Sequence, residues 1–188
     1  DKYVRINLGD KLLVLVTDFH FSGFFINHIQ QEPVYQGLQI FFHLLSMNAA
    51  VHIQNKRLVF IANVLDKLGL EADIVHMRAE LAGKDKTFRE QYDIVTARAV
   101  ASLNILSEYC LPFVKLGGYF APMKSTKTEE EVESAKGAIK ILGGKIKEIK
   151  ELRIDNCGER YIILTKKISQ TPPKYPRASA QISKKPLS

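Results

Sequence analysis

A chain of 188 residues, 46 % hydrophobic and 25 % charged, has the makeup of one folded domain with at most a small appendage, which excludes a disordered or low-complexity chain. No apolar run reaches the about 20 residues of a membrane-spanning helix, and the charged opening DKYVRINLGDK has no secretory h-region or cleavage site. The net charge of +7 is concentrated: residues 166–188 carry six Lys/Arg and no acid, and the rest of the chain is nearly balanced.

In chain order, residues 1–36 are the least legible. KLLVLVTDF reads equally as a strand or a buried helical segment, and FSGFFINHI is apolar enough to pack on a sheet. GLQIFF (37–42) is the candidate first strand and AAVHIQ (49–54) the second. In NKRLVFIANVLDKLGL, apolar residues at 58, 61, 65 and 68 mark one helix face, with Gly69 as its C-cap. ADIVHM (72–77) and YDIVTAR (92–98) read as buried strands. The following stretch reads as a helix stopped by Gly117–Gly118, with Pro112 ending or kinking it early. GYFAPMK (118–124) predicts a strand in which Pro122 marks an edge, bulge or end. TEEEVESAKGAIKILGG predicts an amphipathic helix with acids in its first turn. KIKEIKELRI and ERYIILTKK, joined by DNCG, predict a closing hairpin.

This alternation specifies an α/β fold with a mainly parallel sheet and an antiparallel strand near the C-terminus. Ligands of such sheets bind beyond the carboxyl ends of the strands. Three predicted strands end there in charge: Arg78 and Glu80 after the first, Arg98 after the second and Lys124 after the third. An isolated strand-end charge is usually a solvated surface residue; their coincidence on one rim points to a site. The five histidines, at 20, 28, 43, 52 and 76, form no HExxH or HxxxH pattern, so no metal is expected. Cys110 and Cys157 have no metal spacing and fit a reducing cytosol. The Pro- and Ser-rich end reads as an extended or mobile tail whose cations suit a phosphate backbone, with Tyr175 offering a weak stacking surface. The bland alternative is a solvated terminus.

HMRAE, YDIVTARAVASLNILSEYCLPFVKLGGYF and the late KKISQTPPKYPR…SKKPL together resemble the RsmG (GidB) family, over roughly residues 54–188. Members are S-adenosylmethionine-dependent methyltransferases acting on a guanine N7 of 16S ribosomal RNA. The resemblance implies a Rossmann-like class I methyltransferase sheet. It implies cofactor contacts at Ala79, Glu80 and Arg98, with Glu80 near the adenine end. Arg98, Lys124 and Arg78 are the implied catalytic residues, and Lys174, Arg177, Lys184 and Lys185 the RNA-binding ones. The implied partner is 16S rRNA or a small-subunit assembly intermediate, met in the cytoplasm by a monomer. The expected division is a helical N-terminal extension (1–36), the methyltransferase domain (37–168) and a basic tail (169–188).

The first third departs from the family pattern. A glycine-rich loop of the form DVGxGxGxPG should follow the first strand, yet no glycine occurs between residues 38 and 68. The second strand should end in an acid for the ribose, yet no Asp or Glu occurs from 33 to 65. Ser125 stands where the family has a glycine after the rim lysine. Six residues between Phe42 and Ala49 are also too few for a parallel crossover, which needs about ten to twelve. Two explanations fit: a lost first βαβ unit or a polypeptide longer than this one. If the loss is literal, the alternative function is an RNA-binding relative without catalysis.

Overall fold

Short runs rich in Val, Ile and Leu alternate with 3.6-period segments along most of this chain, and the strands they form join into a single sheet. The computed structural model describes residues 12–16, 47–52, 55–69, 72–98, 101–124, 128–154 and 158–188. Its strands are β1 (Leu12–Val16), β2 (Met47–His52), β3 (Asp73–His76), β4 (Tyr92–Arg98), β5 (Val114–Phe120), β6 (Met123–Lys124), β7 (Gly144–Ile154) and β8 (Gly158–Lys167). The helices are α1 (Asn55–Leu68), α2 (Ala79–Ala82), α3 (Leu103–Cys110), α4 (Thr128–Ile141) and α5 (Ser179–Lys184). The sheet order is β3-β2-β1-β4-β5-β8, with β7 outside β8 and β6 continuing the line of β5 beside β4 and β8. All pairings from β3 through β5 are parallel, and β8 runs antiparallel to β5, β6 and β7.

The expected α/β class with one antiparallel strand near the C-terminus is therefore the architecture observed. The first strand is a correction. β1 is Leu12–Val16, in the middle of the sheet between β2 and β4, so the sheet reaches into the segment read as a helical extension. GLQIFF (37–42) lies outside the described residues. The two runs are equally apolar and short, and only the pairing partners tell them apart. With β1 at 12–16, the crossover to β2 has residues 17–46 to use, so the length conflict disappears.

Local chemistry accounts for the other boundaries. Gly69 closes α1 at φ +64°, a left-handed conformation that costs glycine little. α3 ends at Cys110 rather than at the glycine pair. Pro112 has no N–H to continue the ladder, so Leu111–Phe113 tighten into one 3-10 turn and β5 starts at once. Pro122 likewise interrupts the strand, separating β6 from β5. Gly143, at φ +85°, lets Ser169 pass so closely that a Cβ would lie 2.2 Å from its carbonyl oxygen.

The core lies between the sheet and the paired helices α3 and α4. Leu103, Leu106 and Cys110 follow i, i+3, i+7 on α3, and Val132, Ala135 and Ile139 do the same on α4. They close over Val95, Ala97, Phe120 and Ile163 of the strands.

Residues 168–188 depart from the extended or mobile tail expected. Tyr175, Thr171 and Ile182 are buried, and Leu187 packs against the core. Arg89 gathers the segment: its guanidinium donates to the carbonyls of Gly83 at 2.8 Å, Tyr175 at 2.9 Å and Thr171 at 2.7 Å. Arg177 donates through Nε and Nη2 to the two carboxylate oxygens of Glu108, at 2.8 and 2.7 Å. Composition alone described a solvated chain; a buried carboxylate and a gripping arginine elsewhere in the fold supply what composition does not show.

Candidate functional site

The strand order reverses between β1 and β4: β2 and β3 lie on one side of β1, and β4 and β5 on the other. At such a switch point the loops diverge and leave a crevice beyond the carboxyl ends. Arg98 is the last residue of β4, and its backbone stands opposite Val16, the last residue of β1, and Met123 of β6. The arginine that ends a hydrophobic strand is thus at the centre of the rim rather than at its margin.

Next along the rim, β3 ends at His76 and α2 begins at Ala79. Arg78 is the N-cap residue, in extended conformation, and no side chain caps the turn. The first-turn amides of Ala79 and Glu80 therefore have no side-chain acceptor at the cap. Arg78 is half-exposed and pairs with the largely buried Glu80 carboxylate at 3.6 Å. Leu81 beside them is 56 % exposed, an apolar surface next to a carboxylate. This donor set fits the base end of an adenosyl group: backbone donors, one carboxylate and an apolar flank. β2 finishes in His52, so the strand that the family pattern ends in an acid supplies no carboxylate. Residues 17–46, which follow β1, lie outside the described residues; their first stretch, TDFHFSG, has one glycine, Gly23.

Lys124 is at the rim, but its ammonium is engaged. It is 10 % exposed, lies 2.6 Å from a Glu131 carboxylate oxygen and donates to the carbonyl of Ala101 at 2.8 Å. Ser125 lies outside the described residues. Among the residues expected to bind RNA, Lys174, Lys184 and Lys185 are exposed, whereas Arg177 is turned onto Glu108. That bond holds the Arg177 guanidinium even more firmly protonated than usual. Tyr175, expected as a stacking surface, is buried, and the Lys174 ammonium lies 5.2 Å from its ring centroid.

Four residues that organise this region escaped the sequence reading: Glu131, Asn104, Glu108 and Arg89. Glu131 is one of three glutamates in the first turn of α4, and no local pattern separates it from its neighbours. No group of three or more His, Cys, Asp or Glu able to hold a metal occurs among the described residues.

Residues 38–162 match the family model GidB, described as rRNA small subunit methyltransferase G. The chain belongs to this family. Among curated GidB relatives, one from Lactobacillus acidophilus, named ribosomal RNA small subunit methyltransferase G, is 49 % identical over 134 residues. That match covers 70 % of this chain and 56 % of the relative. A protein of the same name from Acetivibrio thermocellus is 52 % identical over 134 residues, covering 70 % and 55 %. The chain thus spans little more than half the length of the GidB relatives it matches.

Solved structures agree on the fold. A 16S rRNA (adenine(1408)-N(1))-methyltransferase from Catenulisporales acidiphilia, solved with its cosubstrate SAM, superposes with a TM-score of 0.59 at 10 % identity, covering 87 % of both chains. A methyltransferase-like structure from Thermoplasma acidophilum gives 0.58 at 13 % identity, covering 87 % of this chain and 70 % of the other. The GidB chain accordingly has the class I methyltransferase fold.

Proposed function

We propose that this chain is an S-adenosylmethionine-dependent methyltransferase acting on a guanine N7 of 16S ribosomal RNA. The observation that carries the reading is the backbone of Arg98 opposite Val16 at the reversal of strand order, in a chain of the GidB family. S-adenosylmethionine, when bound, supplies an electrophilic methyl group on a sulfonium. Guanine N7 has a free lone pair, so no general base is needed. The work left to the protein is alignment and electrostatic control.

Within that reading, Ala79 and Glu80 hold the adenine end of the cofactor, the amides donating and the carboxylate accepting, with Leu81 against the ring. Arg98 and Arg78 flank the reacting base. An arginine fork suits either the O6 edge or a flanking phosphate, and holding O6 leaves N7 free to attack. A guanine offered to a crevice is single-stranded or flipped from its helix. Lys174, Lys184 and Lys185 then bind RNA phosphates from a docked, ordered segment instead of a mobile arm. The partner is 16S rRNA or a small-subunit assembly intermediate, met in the cytoplasm by a monomer. No helix among the described residues is long and apolar enough to cross a membrane.

The test is transfer of labelled methyl from S-adenosylmethionine to small subunits lacking N7 methylation, beside calorimetric titration of the cofactor. Binding and transfer at one guanine support the reading. A folded chain that binds RNA but neither binds nor uses the cofactor is the relative without catalysis, which the missing glycine loop and ribose acid would explain.

A further inference from the structure

Three residues after Arg98, the chain enters α3 through Ala101, Ser102 and Leu103, and side chains from distant elements hold this short connection. Lys124, from β6, donates to the Ala101 carbonyl at 2.8 Å. Glu131, from the first turn of α4, accepts the Leu103 N–H at 2.7 Å. The same carboxylate oxygen lies 2.6 Å from the Lys124 ammonium. The pair thus holds the backbone on both sides of Ser102, one charge on a carbonyl and the other on an orphan amide at a helix start. A second hold joins it. The Ser102 hydroxyl donates to Asn104 Oδ1 at 2.6 Å, and Asn104 Nδ2 donates to the Leu187 carbonyl at 2.9 Å.

For Lys124 to reach a substrate it would leave the Glu131 carboxylate and the Ala101 carbonyl, both in a largely buried setting. Removing one partner of such a pair is costly. We infer that Lys124 and Glu131 form one positioning unit that sets the backbone between Arg98 and α3, and that Lys124 serves the reaction through that backbone without touching RNA or cofactor. The inference rests on the methyltransferase reading above.

A double-mutant cycle decides it. Lys124→Met, the near-isosteric Glu131→Gln and the double variant are each assayed for kcat and KM on RNA. Members of one unit are non-additive. Each single change should lower kcat about 10-fold with KM within about 2-fold, and the double should be no more than about 3-fold worse than the worse single. Losses that multiply, or a raised KM in Lys124→Met alone, would mean that Lys124 meets the RNA and would overturn the inference. If the unmodified chain transfers no methyl, the methyltransferase reading fails separately. Amide exchange at Leu103 then decides the positioning unit. Glu131→Ala should exchange there at least about 10-fold faster than its loss of global stability accounts for, and a rate that only follows global stability removes the unit.

Discussion

Arg177 and Glu108 meet with two side-chain hydrogen bonds and a third from the Arg177 backbone N–H at 2.9 Å. The Glu108 side chain has no solvent exposure, and that of Arg177 keeps 21 %. Breaking a buried pair from one side leaves an uncompensated charge and costs about 3–5 kcal/mol. Arg177→Ala should therefore lower the urea midpoint strongly, while Arg177→Met with Glu108→Leu should be milder, since neither charge is stranded. Equal losses in the two would assign the effect to packing. Arg98 has the opposite expectation. Its position at the switch crevice predicts that Arg98→Ala lowers methyl transfer about 10²-fold or more, the scale of removing one electrostatic donor, with an unchanged melting temperature. Normal transfer by that variant would remove Arg98 from the site.

At the scale of elements, the C-terminal segment is a strap across α2, α3 and α4. Its removal exposes Glu108 and uncovers part of the core. Truncation after Lys167 should therefore destabilise the whole fold, which thermal unfolding would register as a lower midpoint. Its effect on RNA is better isolated by Lys184→Ala with Lys185→Ala, both exposed. Each lost contact to single-stranded RNA should flatten the slope of log K against log salt by about 0.7, so about 1.4 for the pair. A slope that does not change would make these lysines merely solvated. Helices α1, α3 and α4 and most strands were legible because their signals are local: the face of 58, 61 and 65 in α1, the glycine after it, the prolines that stop α3 and split β5 from β6; the short α2 and α5 were not. Arg98 and Glu80 were legible because a strand-end charge is visible once the strand is.

At the scale of the molecule, one buried knot ties the strap to the segments that lead into β4, β5 and β7. Lys167 is fully buried and donates to the Leu111 carbonyl at 2.6 Å and to the Thr171 hydroxyl, with Glu90 at 3.3 Å. Thr171 in turn donates its hydroxyl to the Leu142 carbonyl at 2.7 Å and its N–H to Glu90 at 2.8 Å. Burial lowers the Lys167 pKa from 10.5 to about 8, against the pull of Glu90. The unfolded chain therefore binds more protons between about pH 8 and 10.5, so this group's contribution grows as pH rises through that window and is lost as pH falls through about 8. Relative to Lys167→Met, the natural chain should gain stability above pH 8, by at most about 1.4 kcal/mol per pH unit. Parallel stability curves for the two would refute this.

Short-range chemistry was readable from the residues alone: the α/β class, the strands from β3 onward, helices α1, α3 and α4, the antiparallel closing strand and the rim on which Glu80, Arg98 and Lys124 lie. It left open every choice that depends on a distant partner. LLVLV and GLQIFF are interchangeable as local patterns, and pairing with β2 and β4 selected the first as the central strand. The tail read as an extended or mobile arm until Glu108 and the grip of Arg89 gave it an interior to dock on. Lys124 read as a free reagent until α4 brought Glu131 to it. A charge's role is set by what lies within a few ångströms of it, and those neighbours are brought there by the tertiary fold.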